Sequence, residues 1–409
     1  MGSSPNHKRA SVCTSIYGKE KVDTRRLPCG TIPIVRFKCA TVGIATHELW
    51  RTIPIARCKP STIGIVSHGS MMERMKLHPR LLFTLGDVAG IGPEVVAKAW
   101  DELQSICRPT VIGDVDWMRR ATRFTQYPLD VMPIRDPDDA RPSPQHIPCL
   151  QGTTQDLSEV VAGKISAASG RAAYDFLCTA IDLTLAGRAD GIVTLPLHKE
   201  GLHAAGRKYP GHTEILAERT GIKNFAMMLY APPGPSLSHG IGVVHVTLHM
   251  ALHDVFRHIT TEAILEKIHL LQSVMDKLGK GSPRLAVAAL NPHAGDGGLF
   301  GDEETKILMP AVERAKQAGI DVAGPLPSDT LFVQAQRGQF DGIVAMYHDQ
   351  GHIALKLLTG LAAVNVTLGL PIVRTSVAHG TAYDIAGQGR ADHRSLLEAA
   401  KVAALLVRA

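Results

Sequence analysis

A repeated unit, a short apolar run followed by a stretch with helical spacing, constrains the fold of this 409-residue chain more than any other feature. Short apolar runs that alternate with helices are typical of parallel strands buried on both faces of a sheet. The sequence therefore predicts an α/β fold. The runs occupy residues 81–85, 110–114, 191–195, 243–248, 285–290, 342–347 and 363–367.

Three histidines share one local context, because each closely follows one of these runs. They are His249, His293 and His348. In open α/β sheets the ligand lies outside the carboxyl ends of the strands, and three imidazoles there can hold a divalent cation with one coordination position open. For any one of them, a histidine that merely caps a strand end is an equal alternative. The same context at three strands favours a metal site.

Composition and charge exclude two classes of partner. Residues 1–76 carry 13 Lys/Arg and 4 Asp/Glu, whereas the remainder carries 31 and 34, so the predicted globular part lacks the basic excess of a nucleic-acid-binding protein. No apolar run approaches the ~20 residues of a membrane span. Cys107, Cys149 and Cys178 show no metal or disulfide spacing. We therefore expect a soluble, cytoplasmic protein with reduced thiols.

Residues 1–76 differ from the rest of the chain. They contain scattered Pro and Gly, no sustained helical or strand period and no secretory apolar segment. Met71, Met72 and Met75 stand just before the first strand. We interpret the segment as an over-extended translation start, with a short targeting or disordered leader as the alternative. The Pro-rich stretch 128–150 is predicted to be a surface excursion.

Four further stretches contain candidate ligand-binding groups. The first strand opens into GDVAGIGPE, whose glycines do not fit the dinucleotide fingerprint, so a plain turn and a ligand loop are equally expected. His212 and Thr213 stand at a predicted helix N-terminus, where backbone N–H groups favour phosphate. Lys199, Lys356 and Arg374 are candidate binders of phosphate or carboxylate. Each of these cations, taken alone, is more often a surface charge.

Several motifs together resemble the 4-hydroxythreonine-4-phosphate dehydrogenase (PdxA) family. They cover residues 81–400 in order and read TLGDVAGIGPE, TLPLHKEGLHAAGRKYPGHTE, TLHMAL, LNPHAGDGGLFGDEE, GPLPSDTLF, MYHDQGH and VNVTLGLPIVRTS. The resemblance implies a two-domain α/β/α fold similar to isopropylmalate and isocitrate dehydrogenases. It places one domain at 79–208 plus 384–409, and a second, with the metal and dimer contacts, at 209–383.

The resemblance also implies a homodimer with its active site at the interface. A divalent metal (Zn, Mg or Co) would be held by His249 and His293 of one chain and His348 of the other. The remaining implied roles are substrate binding by His212, Thr213, Lys356, Asn365 and Arg374, and binding of the NAD adenosine by His379, Gly380, Thr381 and Ala382.

The implied reaction is NAD-dependent oxidation, with decarboxylation, of 4-phosphohydroxy-L-threonine, as in pyridoxal 5′-phosphate (vitamin B6) biosynthesis. Lys199 and Asp329 are alternatives for the proton relay. MYHDQGHIALK and HGTAYDIAGQG are closer to the branch acting on 4-phospho-D-threonate and 4-phospho-D-erythronate, whose substrates carry a hydroxyl in place of the amine. Val88 and Ala378 depart from the family's usual proline and aspartate. A non-redox phosphate-handling acyltransferase or metal lyase is the alternative of another class.

Overall fold

The computed structural model describes residues 78–125 and 128–409. The interpretation of residues 1–76 as a leader falls outside the described residues. Within them, twelve strands form one sheet in the order β3-β4-β2-β1-β5-β12-β11-β6-β7-β10-β8-β9. The strands are β1 (Arg80–Thr84), β2 (Arg108–Gly113), β3 (Asp130–Ile134), β4 (His146–Gln151), β5 (Gly191–Thr194), β6 (Ala226–Ala231), β7 (Ile241–His245), β8 (Leu285–Ala288), β9 (Val322–Leu326), β10 (Gly342–Ala345), β11 (Val364–Leu368) and β12 (Val373–Val377).

Two antiparallel strands at the centre separate two parallel sets. β11 pairs antiparallel with β12 and β6, and β6 pairs antiparallel with β7, whereas the other pairs are parallel. The set that begins with β7 therefore runs opposite to the set that ends with β12. β10 lies between β7 and β8 and is parallel to both. The carboxyl ends of these three strands consequently share one edge of the sheet. The segments that carry His249, His293 and His348 begin at that edge.

Helices connect most of the strands, and the α/β fold is as predicted. They are α1 (Gly92–Leu103), α2 (Val115–Thr122), α3 (Ala167–Leu185), α4 (Lys199–Ala204), α5 (His212–Thr220), α6 (Leu252–Val255), α7 (Thr261–Met275), α8 (Met309–Gln317), α9 (Ser328–Gln336), α10 (His348–Thr359) and α11 (Arg394–Arg408). Short 3-10 turns occupy Pro137–Asp139, Pro292–Gly298 and Gly360–Ala362, and π turns occupy Asp276–Lys280 and Glu304–Leu308. No helix among the described residues is long and apolar enough to span a bilayer.

The Gly-rich turn after β1 is explained by close packing of the backbone. A Cβ at Gly86 would lie 2.2 Å from the Pro196 carbonyl oxygen, and one at Gly92 would lie 2.1 Å from that of Leu85. Gly86 also has φ +64°, which an L side chain rarely adopts. These glycines let the turn sit against the end of β5, so the close approach accounts for them without a ligand.

Three local features differ from the sequence predictions. The stretch expected to be a surface excursion contributes the edge strand β3 and its neighbour β4, because its alternating apolar residues Val131, Ile147 and Cys149 are buried against the sheet. β6 was not foreseen, since no helix separates it from β7, with which it pairs antiparallel. Asp329 was expected on a loop but lies in the first turn of α9.

The apolar interior forms two clusters within the described residues. The larger extends over strands from both parallel sets and includes Trp100, Phe83 and Phe176. The smaller contains Leu229, Val243 and Ala345 from β6, β7 and β10, together with side chains of α9 and α10. The predicted domains supply the two contiguous halves of the sheet, which meet where β5 pairs with β12. The domain boundaries themselves remain a prediction.

Candidate active site

A cavity of about 480 Å³ opens over one face of the sheet at its antiparallel centre. Strand register explains its polar floor. Thr194 pairs with Ser376, and Ser376 pairs with Asn365, so the three side chains point to the same face. Arg374 and His245 reach that face from β12 and β7, because side chains two residues apart on a strand share a face. All five line the cavity.

Arg374 is the dominant charge in the cavity. Arg374 is only 3% exposed. Its guanidinium donates to the hydroxyls of Thr367 (3.0 Å) and Thr194 (2.6 Å). Among the described residues it forms no ion pair, and its Nε has no hydrogen-bond partner. Burial lowers the pKa of Arg374 to about 10, and Glu214 opposes that shift. A buried cation held only by neutral groups is poised to bind an anion.

The N-terminus of α5 faces the same space. His212, Thr213 and Glu214 form its first turn and line the cavity. Burial of the ring lowers the pKa of His212 well below its usual value, and the positive charge of Arg374 adds to the effect. The imidazole therefore stays neutral beside the arginine. Free N–H groups of the first turn add further donors for an anionic group.

Three more polar atoms at the cavity lack partners within the described part of the chain. Asn365 Oδ1, His245 Nδ1 and His379 Nε2 are buried and form no hydrogen bond. Buried polar groups of native proteins are generally paired. Together with Arg374 Nε, these atoms indicate that the cavity is shaped for a polar ligand.

A histidine cluster adjoins the cavity at the ends of β7 and β10. The ring centroids of His249 and His348 lie 5.8 Å apart within one chain. The His348 Nδ1 lies 2.7 Å from the Asp349 carboxylate, which leaves its Nε2 for another partner. His249 is exposed at the cavity rim, where partial desolvation lowers its pKa and the nearby Lys199 and His348 add to the effect. A neutral imidazole is the form that binds metals.

The Gln350 side chain links the start of α10 to neighbouring segments. Its side-chain carbonyl accepts from the Met346 N–H (2.6 Å), and its amide donates to the Ala289 carbonyl (2.6 Å) and the Ser328 hydroxyl (2.9 Å). β10, β8 and α9 are thereby tied to the helix that carries His348.

His293 lies apart from the other two predicted metal ligands. It is exposed and begins a run of left-handed residues, with φ +53°. The buried Glu304 carboxylate holds this loop by accepting from the backbone N–H groups of Leu290 (2.9 Å) and Asn291 (2.6 Å). Within the described residues of one chain, no three His, Cys, Asp or Glu side chains are grouped so that they could hold a metal.

The remaining predicted residues divide into two groups. Lys199 lines the cavity at the start of α4, and His379 and Gly380 line it from the loop after β12. Asp329 and Lys356 are exposed and do not line it. Thr381 and Ala382 lie beside the Gly-rich turn, where the Ile91 N–H donates to the Thr381 carbonyl at 3.0 Å. Ala382 has φ +44°, the left-handed conformation.

Sequence reasoning missed two buried histidines behind this cluster. His352 stacks on His348 with ring centroids 3.8 Å apart, and its Nδ1 lies 3.1 Å from His245 Nε2. The i, i+4 spacing of His348 and His352 was a usable signal, because it places both rings on one helix face. His245 carried no such signal, since it reads as one polar residue at a strand end.

A family model described as "Pyridoxal phosphate biosynthetic protein PdxA" matches residues 105–403. The chain belongs to the PdxA family. This confirms the resemblance on which the predicted site residues were based. The PdxA-family chain is 47% identical over 335 residues to a protein named D-threonate 4-phosphate dehydrogenase from Cupriavidus necator, with 80% of this chain and 97% of the relative covered.

Another relative is named 4-hydroxythreonine-4-phosphate dehydrogenase and comes from Geobacter metallireducens. It is 44% identical over 332 residues, which cover 81% of this chain and 96% of that protein. The crystal structure of 4-hydroxythreonine-4-phosphate dehydrogenase from Klebsiella pneumoniae is 39% identical and matches with a TM-score of 0.72 over 80% of this chain and 99% of its own. The PdxA-family fold is thus shared along nearly the whole length of these relatives.

Proposed function

We propose that this PdxA-family chain is an NAD-dependent, divalent-metal-dependent dehydrogenase that oxidises 4-phosphohydroxy-L-threonine with decarboxylation, as in pyridoxal 5′-phosphate biosynthesis. One observation carries the proposal: the buried guanidinium of Arg374 lines a cavity of substrate size and forms no ion pair among the described residues. The name of the Geobacter relative supports the substrate. A cytoplasmic location remains part of the proposal.

The substrate's anionic groups are assigned to the cavity floor. Arg374 offers a planar donor fork for phosphate or carboxylate. The first turn of α5, with His212 and Thr213, offers backbone N–H groups to the same ligand. Asn365 contributes an acceptor for a substrate hydroxyl or amine through its unpaired Oδ1. These groups bind and orient the substrate before any bond changes.

The histidine cluster fits a divalent metal. His249 is kept neutral, and Asp349 orients His348 so that its Nε2 is available. A bound divalent cation supplies Lewis acidity, which lowers the pKa of a substrate hydroxyl and stabilises negative charge on its oxygen. Because His249 and His348 are already adjacent in one chain, we assign the third ligand, His293, to a second copy. This revises the expectation that His348 is the partner's contribution.

Lys199 is the better supported of the two proton-relay candidates. It lines the cavity, and its positive charge contributes to the lowered pKa of His249. Asp329, by contrast, is exposed outside the cavity. Asp329 and Lys356 would reach the reaction only from a second copy, like His293. Lys199 is therefore assigned the role of moving a proton at the substrate hydroxyl.

The loop from His379 to Ala382 is assigned to NAD. The His379 Nε2 is an orphaned buried atom at the cavity, and Ala382 holds a left-handed backbone that directs the loop around the Gly-rich turn. NAD bound there would supply the hydride acceptor for the reaction. These residues bind and place its adenosine end, while Arg374 and Asn365 hold the substrate.

A homodimer completes the proposed site. Exposed large apolar side chains accompany the histidine-bearing loops, as interface residues do. Leu252 and Phe256 follow His249, Leu299 and Phe300 follow His293, and Leu357 lies on the helix of His348, with exposed fractions of 46–82%. Their coverage by a second copy would bring one chain's His293 to the other chain's His249 and His348.

Mixing inactive variants tests this arrangement. His249→Ala and His293→Ala, mixed and reassociated, should regain about a quarter of wild-type activity, because half of the dimers are mixed and each has one intact site. His249→Ala mixed with His348→Ala should regain none, since one chain supplies both ligands. Recovery in the second mixture but not the first would refute the assignment of His293 to the partner.

A second substrate is favoured by a specific observation, the 47% identity to the D-threonate 4-phosphate dehydrogenase of Cupriavidus necator. NADH formation should be followed with 4-phosphohydroxy-L-threonine, D-threonate 4-phosphate and D-erythronate 4-phosphate, with Zn²⁺, Mg²⁺ or Co²⁺ supplied. Turnover of at least one supports a dehydrogenase. No NADH from any of the three, from a folded protein, would favour the non-redox alternative.

A further inference from the structure

Two histidines that the proposed function leaves without a role, His245 and His352, form a buried pair beside the cavity. His245 ends β7 and is 1% exposed, and His352 is 7% exposed on α10, which packs on that strand. The His352 Nδ1 lies 3.1 Å from the His245 Nε2. Gly351 makes room for them, because a Cβ there would lie 2.4 Å from that Nε2.

The backbone carbonyl of His348 determines where the hydrogens of the pair lie. It is 3.2 Å from His352 Nδ1, and a carbonyl oxygen only accepts, so this nitrogen carries a hydrogen. The His245 Nε2 shares the same N–H and must act as an acceptor. A neutral imidazole carries one N–H, so the hydrogen of His245 is on Nδ1. A ring whose Nε2 accepts has no hydrogen there, so His245 is in its neutral form.

The His245 Nδ1 is consequently a buried donor. It has no hydrogen-bond partner among the described residues, and His245 lines the cavity. The backbone of Met227, on β6, acts on the ring as a hydrogen-bond acceptor, but no group among the described residues meets hydrogen-bond geometry at Nδ1. Buried donors in native proteins are generally satisfied, so an acceptor on the ligand would complete this one.

We propose that His245 is a specificity-determining residue that donates its Nδ1–H to a substrate oxygen, with His352 as the positioning residue that fixes its tautomer. This inference rests on the proposed function, and of its two candidate substrates it favours D-threonate 4-phosphate. The two candidate substrate types carry a hydroxyl or an amine at the same position. A hydroxyl oxygen accepts a hydrogen bond, whereas an ammonium group has no lone pair. His245 therefore favours the phosphorylated hydroxy acid over its amino counterpart.

Steady-state kinetics of variants on both substrates test the proposal. His245→Leu removes the donor and should lower kcat/KM for D-threonate 4-phosphate by about 10–100-fold, the effect of losing one buried hydrogen bond to a substrate. It should change kcat/KM for 4-phosphohydroxy-L-threonine by less than about 3-fold, since no matching bond is lost. His146→Leu, on the distant strand β4, is the control and should change neither value.

His352→Phe keeps a ring at the positioning site but lacks the Nδ1–H. It should shift the ratio of the two kcat/KM values in the same direction as His245→Leu, and it serves as the second variant should His245→Leu not fold. Equal losses of kcat/KM on both substrates, or an unchanged ratio of the two kcat/KM values, would overturn the inference. The proposed function would still stand in that case, because wild-type protein forms NADH. Absence of NADH from either substrate with wild-type protein would overturn both.

Discussion

The Arg374 guanidinium donates a 2.6 Å hydrogen bond to the hydroxyl of Thr194, a residue 180 positions earlier in the chain. The parallel pairing of β5 with β12 brings these two side chains to one face of the sheet. Thr194 gives the cation a polar neighbour but no counter-charge. The site thus holds a buried positive charge oriented by neutral groups, which preserves its attraction for an anionic ligand.

Replacing Arg374 with Met should separate binding from stability. A charge-assisted hydrogen bond is worth about 1.5–3 kcal/mol, so KM for the phosphorylated substrate should rise roughly 10–150-fold. The midpoint of thermal unfolding should stay equal or rise, because a desolvated cation is removed. Arg394→Met, at an exposed arginine paired with Asp392, is the matched control for KM. An unchanged KM in Arg374→Met would contradict the assignment of the anion site.

Tyr383 should influence the proposed NAD-binding loop, His379 to Ala382, through Asp87. Its hydroxyl donates to the Asp87 carboxylate at 2.7 Å. Burial raises the pKa of Asp87, and this hydrogen bond partly offsets the shift. Tyr383→Phe should therefore loosen the contact between the loop and the Gly-rich turn and raise KM for NAD about 3–10-fold, the effect of one hydrogen bond. KM for the phosphorylated substrate, measured in parallel, should stay unchanged, and a rise in that value alone would argue against the loop assignment.

Gly351→Ala should destabilise the protein although it improves helix propensity. The added Cβ would lie 2.4 Å from His245 Nε2 and 2.7 Å from the Val243 side chain. Overpacking of this kind costs about 1–3 kcal/mol, which exceeds the gain of up to ~1 kcal/mol from replacing a helical glycine. Urea unfolding measures the difference. Leu405→Ala, at an exposed position of α11, should change the free energy of unfolding by less than ~0.5 kcal/mol.

Asp341 should make stability depend on pH in acid. Burial alone would raise its pKa, but hydrogen bonds from the Arg284 backbone and side chain and from Lys280 outweigh it and lower the pKa. A carboxylate with a lowered folded pKa contributes stability above the unfolded value of 3.8 and loses it as pH falls through the folded value.

The Asp341→Asn variant isolates this contribution. Its free energy of unfolding should fall by about 3 kcal/mol at pH 7, because two cations lose a buried partner. The difference from wild type should shrink below pH 3.8. Asp116→Asn removes an exposed ion pair with Arg119 and should cost at most about 1 kcal/mol. A difference between Asp341→Asn and wild type that stays constant down to acid pH would contradict the role of the carboxylate.

Much of the fold was predictable because the buried strands are short, apolar and local in sequence. The runs before His249, His293 and His348 are β7, β8 and β10, and their adjacency puts the carboxyl ends at one edge. β3 and β4, at one end of the sheet, were not predicted, because prolines and polar residues obscure their alternation. β6 was missed for a different reason: it is joined to β7 without a helix, so it does not fit the repeated strand–helix unit.

Sequence motifs predicted several of the side chains that line the cavity. Arg374, Asn365, His212 and Lys199 all line the cavity that the structure places over the sheet. Asp329 and Lys356 come from equally well-formed motifs but are exposed outside it. No property of a local motif tells which strand ends face one cavity.

The amino-acid sequence by itself determined the α/β class, the strand-end histidines and the family, because these depend on local periodicity and on motif order. Only the tertiary structure decided that His249 and His348 are neighbours in one chain, that Arg374 is buried without an ion pair among the described residues, and that His245 pairs with His352. Each of these depends on strand register and on helix packing across the sheet. Those are contacts between residues far apart in sequence, set by how side chains fill shared space.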